Sequence, residues 1–260
     1  MSYKTDTVFS AGIRDTVLHM LERAVDSAGD KVFFDVQGAT CTYRELDRRA
    51  TCFAHELVKL GVKKGDTVVT IADTHPDIFT FWFGMQKIGA IWAPINLAYR
   101  HEFLRHQITD VGARVVICDD AYLERIVEIA DRLPAVEIVL THGELRDYPA
   151  CPIRIEPFDD YRGSDETPIP IPVKPQDLAM LIYTSGTTGA SKGCMISHNY
   201  MAMQGRQNIR AFNPQPGEIM FTPLPMFHSS AINGVLGALQ DAERIAVWPR
   251  FSLSRFWDDI

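Results

Sequence analysis

Between Tyr183 and Gly193 the chain reads YTSGTTGASKG, directly behind the apolar run LAMLI. The glycines tolerate positive φ and let a ligand approach the backbone. Consecutive N–H groups in such a loop form an anion-binding nest. Thr184, Ser185, Thr187 and Thr188 add hydroxyl donors around Gly186 and Gly189, and Lys192 adds a cation on a flexible stem. Together these suit a triphosphate. The segment is not a Walker A loop, which needs G-x-x-x-x-G-K-[ST]. Counted from Gly186, Ser191 stands where the second glycine belongs, and Gly193 follows Lys192 in place of the magnesium-binding hydroxyl. The alternative is a generic glycine-rich surface loop, which rarely combines this hydroxyl density with a lysine behind a buried strand.

Such a loop works only if a sheet presents it, and the sequence supplies one. DTVLHMLERAVDSAG reads as an amphipathic helix stopped by Gly29, and KVFFDVQGATCTY as two short strands around a Gln37-Gly38 turn. Thr42 and Glu45 form a capping box, after which Leu46, Ala50, Phe53, Leu57 and Leu60 share one helix face. Strand-like and helix-like segments then alternate through DTVVTIAD, HPDIFTFWFGMQKIG, AIWAPIN, RHEFLRHQITDVG, RVVICDD, AYLERIVEIADRL and VEIVLTHG. Continuous apolar strands between helices predict an α/β fold of mostly parallel sheets covered by helices. Right-handed crossovers make it doubly wound. The pattern breaks from Tyr148 to Gln176, where PIPIPVKPQD reads as an extended connector. We place a first subdomain over 1–175 and the start of a second, carrying the phosphate loop, over 176–260. FSLSRFWDDI reads as the first turns of another helix, which predicts that the fold is incomplete here and that the chain is cut from a longer protein.

The 260 residues suffice for a large core, and a net charge of −7 disfavours a nucleic-acid-coating role. The five cysteines are scattered, with no C-x-x-C pair, and read as reduced thiols of a cytoplasmic protein. No secretory leader and no run of membrane-span length is evident. His101 and His106 lie five apart on a charged helix and do not share a face at i, i+4 spacing, so they receive no metal. His55 and His75 read as structural or solvated, and Trp82 and Trp92 as core.

YTSGTTGASKG resembles the phosphate-loop signature of the adenylate-forming superfamily: acyl-CoA synthetases, luciferases and peptide-synthetase adenylation domains. CTYRELDRRA, MQKIGAIWAPINLAYR, SHNYM and PLPMFH resemble further segments of that family and occur in the same order. One departure is Ser191, where the family has proline just before the lysine. Losing that φ restraint predicts a looser loop.

The resemblance implies ATP-dependent activation of a carboxylic acid to an acyl-adenylate, then transfer to a thiol such as coenzyme A. ATP and Mg2+ are the implied cofactors, with coenzyme A as co-substrate. It implies that Thr184, Ser185, Gly186, Thr187, Thr188, Gly189 and Lys192 hold the phosphates, with Thr184 also a magnesium contact. His228 falls beside the reacting carboxylate as a catalytic and acid-binding residue, with Ser229 and Ile232 shaping the acyl site. PLPMFHSSAIN lacks the aspartate that would pair with a substrate ammonium, which favours an acid without an α-amine, of medium or long chain. The family's adenine loop, ribose-binding Asp and C-terminal lid domain with its catalytic lysine would lie beyond Ile260. Little activity is therefore expected of this chain alone, and exposed apolar surface would promote association, including a homo-oligomer. The alternatives are an adenylation domain loading a carrier protein and a naturally short, non-catalytic relative that binds a nucleotide or partner.

Overall fold

A computed structural model describes residues 14–148, 150–184, 191–215, 217–254 and 256–259. Among them the chain runs α1 (Val17–Ala28), β1 (Val32–Val36), β2 (Ala39–Thr42), α2 (Tyr43–Lys59), β3 (Thr67–Ile71), α3 (Asp77–Lys87), β4 (Ile91–Pro94) and α4 (His101–Asp110). It continues through β5 (Val115–Asp119), α5 (Asp120–Val127), β6 (Ile138–His142), β7 (Arg154–Pro157), β8 (Leu178–Thr184), β9 (Lys192–Ser197), α6 (His198–Phe212), β10 (Met220–Thr222), α7 (Ser229–Gln240) and β11 (Ile245–Val247). The strands form a larger sheet in the order β7-β6-β5-β3-β4-β8-β9 and a smaller one in the order β10-β11-β1-β2. Pairing is parallel except for the two hairpins, β1/β2 and β8/β9.

The continuous apolar strands feed two cores. Successive side chains of a strand point to opposite faces. Val68, Val115, Ile117, Ile138 and Leu140 face one core, while Val69, Val116, Cys118 and Val139 face the other. The second core is closed by Leu104 and Ile108 of α4 and Leu123 and Ile126 of α5. The first also contains Phe33 and Phe34 of the smaller sheet, so α2 and α3 are covered from both sides. This explains the aromatic helix. Asp77 to Gln86 is buried on every face, as expected of a helix packed all round. Gly84 permits it, because a Cβ there would lie 2.7 Å from Phe53 Cδ1 of α2.

Local signals hold at most helix ends. The Thr42 hydroxyl accepts the Glu45 N–H at 3.1 Å, and Gly61 follows α2 at φ +80°. Glu45 does not complete the reciprocal half of the box; its carboxylate takes Arg49 instead. Gly29 caps α1 in right-handed, not left-handed, geometry. Two strands depart from the expected organisation. β7 forms inside the stretch read as irregular, and β9 forms directly after the phosphate loop. The sheets also do not divide at position 175. β8 and β9 complete the larger sheet, and β11 pairs with β1 in the smaller one. The reason is parallel pairing: each sheet recruits strands by edge complementarity, irrespective of chain order. Tyr43 OH fixes the second of these joins by donating to the Glu243 carbonyl at 2.6 Å.

Candidate active site

β8 and β9 set the base of the phosphate loop. In their antiparallel register Thr184 stands opposite Lys192 and Tyr183 opposite Gly193. The hydroxyl and the ammonium therefore flank the loop entrance from the two strands, and both residues are exposed. Ser185, Gly186, Thr187, Thr188 and Gly189 lie outside the described residues. Thr184 and Lys192 form a donor set suited to phosphate oxygens, and the Thr184 hydroxyl is also a competent oxygen ligand for Mg2+.

Helix α4 secures this base. Gln107 Nε2 donates to Ser191 Oγ at 3.0 Å, and His106 Nε2 donates to the Ser191 carbonyl at 3.2 Å. Tyr183 OH donates to Asp110 Oδ2 at 2.6 Å. Burial first, and then the Asp110 carboxylate, raise the Tyr183 phenol above its ordinary range, which keeps it a donor. Ser191 is therefore tied to α4 on both its side chain and its backbone. The missing proline is replaced by hydrogen bonds, and the loosening expected from sequence is opposed at this end.

A cavity of about 240 Å³ opens beside Thr184, at the base of the loop. Thr184, Ser229 and Ile232 all line it, so three residues singled out from sequence meet in one space. Met180, Ile182, Ile196, Met201 and Leu236 make its walls apolar, and among the described residues no Asp or Glu lines it. The sequence reading missed Cys194, Tyr200, Gln204 and Asn233, which also face the cavity. Tyr200 and Gln204 follow helical i, i+4 spacing and share a 2.6 Å hydrogen bond. That spacing was available as a signal, but nothing in it pointed to this cavity.

His228 does not line the cavity; it caps α7. Its Nδ1 accepts the Ser230 N–H at 3.2 Å. An accepting Nδ1 in the neutral ring places the proton on Nε2. The exposed imidazole thus offers one N–H donor next to Ser229, at the N-terminal end of a helix that itself favours anions.

The arrangement of the two sheets and their helices is that of the adenylate-forming enzymes. The chain belongs to the AMP-binding enzyme family, whose sequence profile matches residues 21–260. It is 29% identical over 235 residues to human long-chain fatty acid transport protein 6, covering 88% of this chain and 37% of that protein. It is 30% identical over 209 residues to the 3-hydroxybenzoate/4-hydroxybenzoate–CoA ligase of Thauera aromatica, covering 80% and 39%. Among solved structures, the anthranilate CoA ligase AuaEII bound to anthranoyl-AMP superposes with a TM-score of 0.84 at 21% identity, covering 95% of this chain and 47% of that one. The chain thus spans less than half the length of these proteins.

Proposed function

We propose that this chain carries the polyphosphate-binding and acid-binding part of an AMP-forming acid–CoA ligase. The observation that supports it is the shared cavity: the base of the phosphate loop, at Thr184, and the start of α7, at Ser229 and Ile232, open onto one space. An acid lying in that space would point its carboxylate at a loop-bound triphosphate. ATP supplies an electrophilic α-phosphorus and a pyrophosphate leaving group, and Mg2+ lowers the charge on both.

The protein's own residues then have separable tasks. Lys192 offsets negative charge where an anionic nucleophile must approach an anionic phosphate. Thr184 donates to, or with Mg2+ ligates beside, the same oxygens. His228 Nε2–H orients the carboxylate without taking its charge. The apolar walls exclude water and bind an uncharged tail. The absence of an acidic residue from the described lining gives no partner to an α-ammonium, which supports acids without an amine. Met180, Met201 and the isoleucines provide a deformable aliphatic wall, and on that ground we favour a medium or long acyl chain over an aromatic ring. Coenzyme A is the proposed acceptor.

The test uses the intact protein that contains this chain. Dodecanoate should promote ATP-dependent pyrophosphate release and acyl-CoA formation, and Lys192→Ala should lower kcat/KM by about 100-fold. Absence of pyrophosphate release with both aliphatic and aromatic acids would overturn the reading. The 260-residue chain offers a second check, because exposed Cys194 lines the cavity. Dodecanoate should slow alkylation of Cys194 and leave Cys151 unprotected.

A further inference from the structure

The two faces of the β8/β9 hairpin look onto different surroundings. Thr184 stands opposite Lys192, Ile182 opposite Cys194 and Met180 opposite Ile196. Met180, Ile182, Thr184, Cys194 and Ile196 all line the acid cavity. Side chains alternate between the faces of a strand, so Lys192 shares the cavity face with Thr184. The reverse face turns to α4. Leu181 packs on the core that Leu104 and Ile108 of α4 close, and Tyr183 and Ser191 hydrogen-bond to α4 itself.

The end of this hairpin needs a support. β9 is the edge strand of the larger sheet. β8 joins its inner neighbour β4 at one residue pair, Trp92 with Met180. Past that pair β8 runs on for four residues to Thr184, roughly 13 Å of strand. Among the described residues, α4 holds this far end. His106 and Gln107 bond Ser191, and Asp110 accepts the Tyr183 hydroxyl. Positions 106, 107 and 110 are near neighbours on one side of the helix. Tyr183 also reaches across its partner strand, because a Cβ on Gly193 would lie 3.4 Å from Tyr183 Cζ. Its ring therefore lies against the backbone at Gly193, and its hydroxyl ties both strands to α4.

Lys192 carries its ammonium on a flexible four-carbon stem. The volume that ammonium sweeps is centred by the backbone of β9. The ties to α4 fall on Ser191, the residue before Lys192, and on Tyr183, opposite the residue after it. They fix the direction in which Lys192 leaves the strand. We propose that Gln107 and Asp110 are positioning residues that act through Ser191 and Tyr183, from the far face of the hairpin, to aim Lys192 at a triphosphate, on the reading that this loop holds one. Neither residue lines the cavity. A misplacement of about 1 Å at a reacting centre costs on the order of 100-fold in rate, so a partial loss of aim is measurable.

The experiment is a double-mutant cycle in the intact protein that contains this chain. It reads kcat/KM for ATP in dodecanoate-dependent pyrophosphate release. Gln107→Leu should lower that value by about 10-fold. In a Lys192→Ala background the same substitution should change it by less than about twofold, because the group it aims is gone. Tyr183→Phe, which cuts the tie to Asp110, should show the same dependence on Lys192. A merely structural role would give equal losses in both backgrounds, and that result overturns the proposal. So does an undiminished Gln107→Leu variant of an active protein. Circular dichroism verifies that the variants fold. Should Gln107→Leu fail to fold, Ser191→Ala and Ser191→Thr decide: a loss in the first and recovery in the second, which keeps the hydroxyl, supports the proposal, and equal activity of the two overturns it. No pyrophosphate release from the wild-type protein, or a Lys192→Ala variant as active as wild type, overturns the reading of the loop and the proposal with it.

Discussion

Ser191→Ala isolates the tie between the phosphate loop and α4. Gln107 is 1% exposed, its Nε2 bonds Ser191 Oγ, and its Oε1 has no partner. Removing the serine hydroxyl strands both ends of a buried amide. An unsatisfied buried donor costs about 1–3 kcal/mol. Because Ser191 is only partly buried and water can reach its side, we expect about 1.5 kcal/mol for Ser191→Ala. Gln107→Leu is the informative counterpart. It loses the same hydrogen bond, but it also removes the buried orphan oxygen and leaves Ser191 free to bind water. It should cost less than about 0.5 kcal/mol. The double variant should then resemble Gln107→Leu, which gives a coupling energy of about 1.5 kcal/mol, the whole cost of Ser191→Ala. Urea unfolding followed by tryptophan fluorescence measures this: for a slope of about 3 kcal/mol/M, Ser191→Ala shifts the midpoint by about 0.5 M. If Gln107→Leu proves more damaging than Ser191→Ala, or the two effects simply add, the hydrogen bond is not what anchors the loop base.

Three further outcomes follow from other sites. Gly205→Ala sets a Cβ 2.6 Å from the Leu236 carbonyl oxygen, so it should cost about 1–3 kcal/mol in urea unfolding despite its better helix propensity; an increase in stability would show that α6 and α7 are not in that contact. His198 is fully buried, both ring nitrogens lack partners, and burial pushes its pKa down to about 4. The unfolded chain takes the proton near pH 6.5 and the folded chain only near 4, so stability should fall by about 1.4 kcal/mol for each unit the pH is lowered across that window; His198→Leu should flatten the slope measured by thermal melting. Asp15, 5% exposed, accepts Arg23 at 2.8 Å and Arg206 at 2.9 Å, which joins α1 to α6. Asp15→Asn should cost about 2 kcal/mol by chemical unfolding, reduced from the fully buried case because Arg23 is half exposed.

The sequence was most legible where physics is local. Strand and helix alternation, the Thr42 cap and the Gln37-Gly38 turn need only a few neighbouring residues, and all are present. β9 was not legible. KGCMIS is an edge strand that is mostly exposed or half-exposed, so it carries no clear alternation, and the glycines before it obscure its start. β7 ends in Pro157 at the opposite edge of the sheet, where a missing N–H is tolerated. The sorting of strands between sheets was also hidden, because buried strands of either sheet have the same apolar composition. At the candidate active site, Thr184, Ser229 and Ile232 were identified through family motifs; Gln107 and Cys194 carry no motif. His75 and His142 lie far apart in sequence, and nothing local shows that their rings stack. Only the crossovers of the sheet bring them together.

The pairing of β1 with β11 has a consequence for how the chain comes to be folded. Phe34 and Ile245 are partners roughly 210 positions apart, which gives the smaller sheet a very high contact order. β3 to β7 can pair as soon as residue 157 is available, whereas the first hairpin must wait for the last strands. At about 5–20 residues per second on a ribosome, that wait is about 10–40 s. Throughout it, β1 presents an unpaired apolar edge, which is the kind of surface that recruits chaperones or self-associates. Refolding should therefore be biphasic, with the larger sheet acquiring protected amides before the smaller one closes.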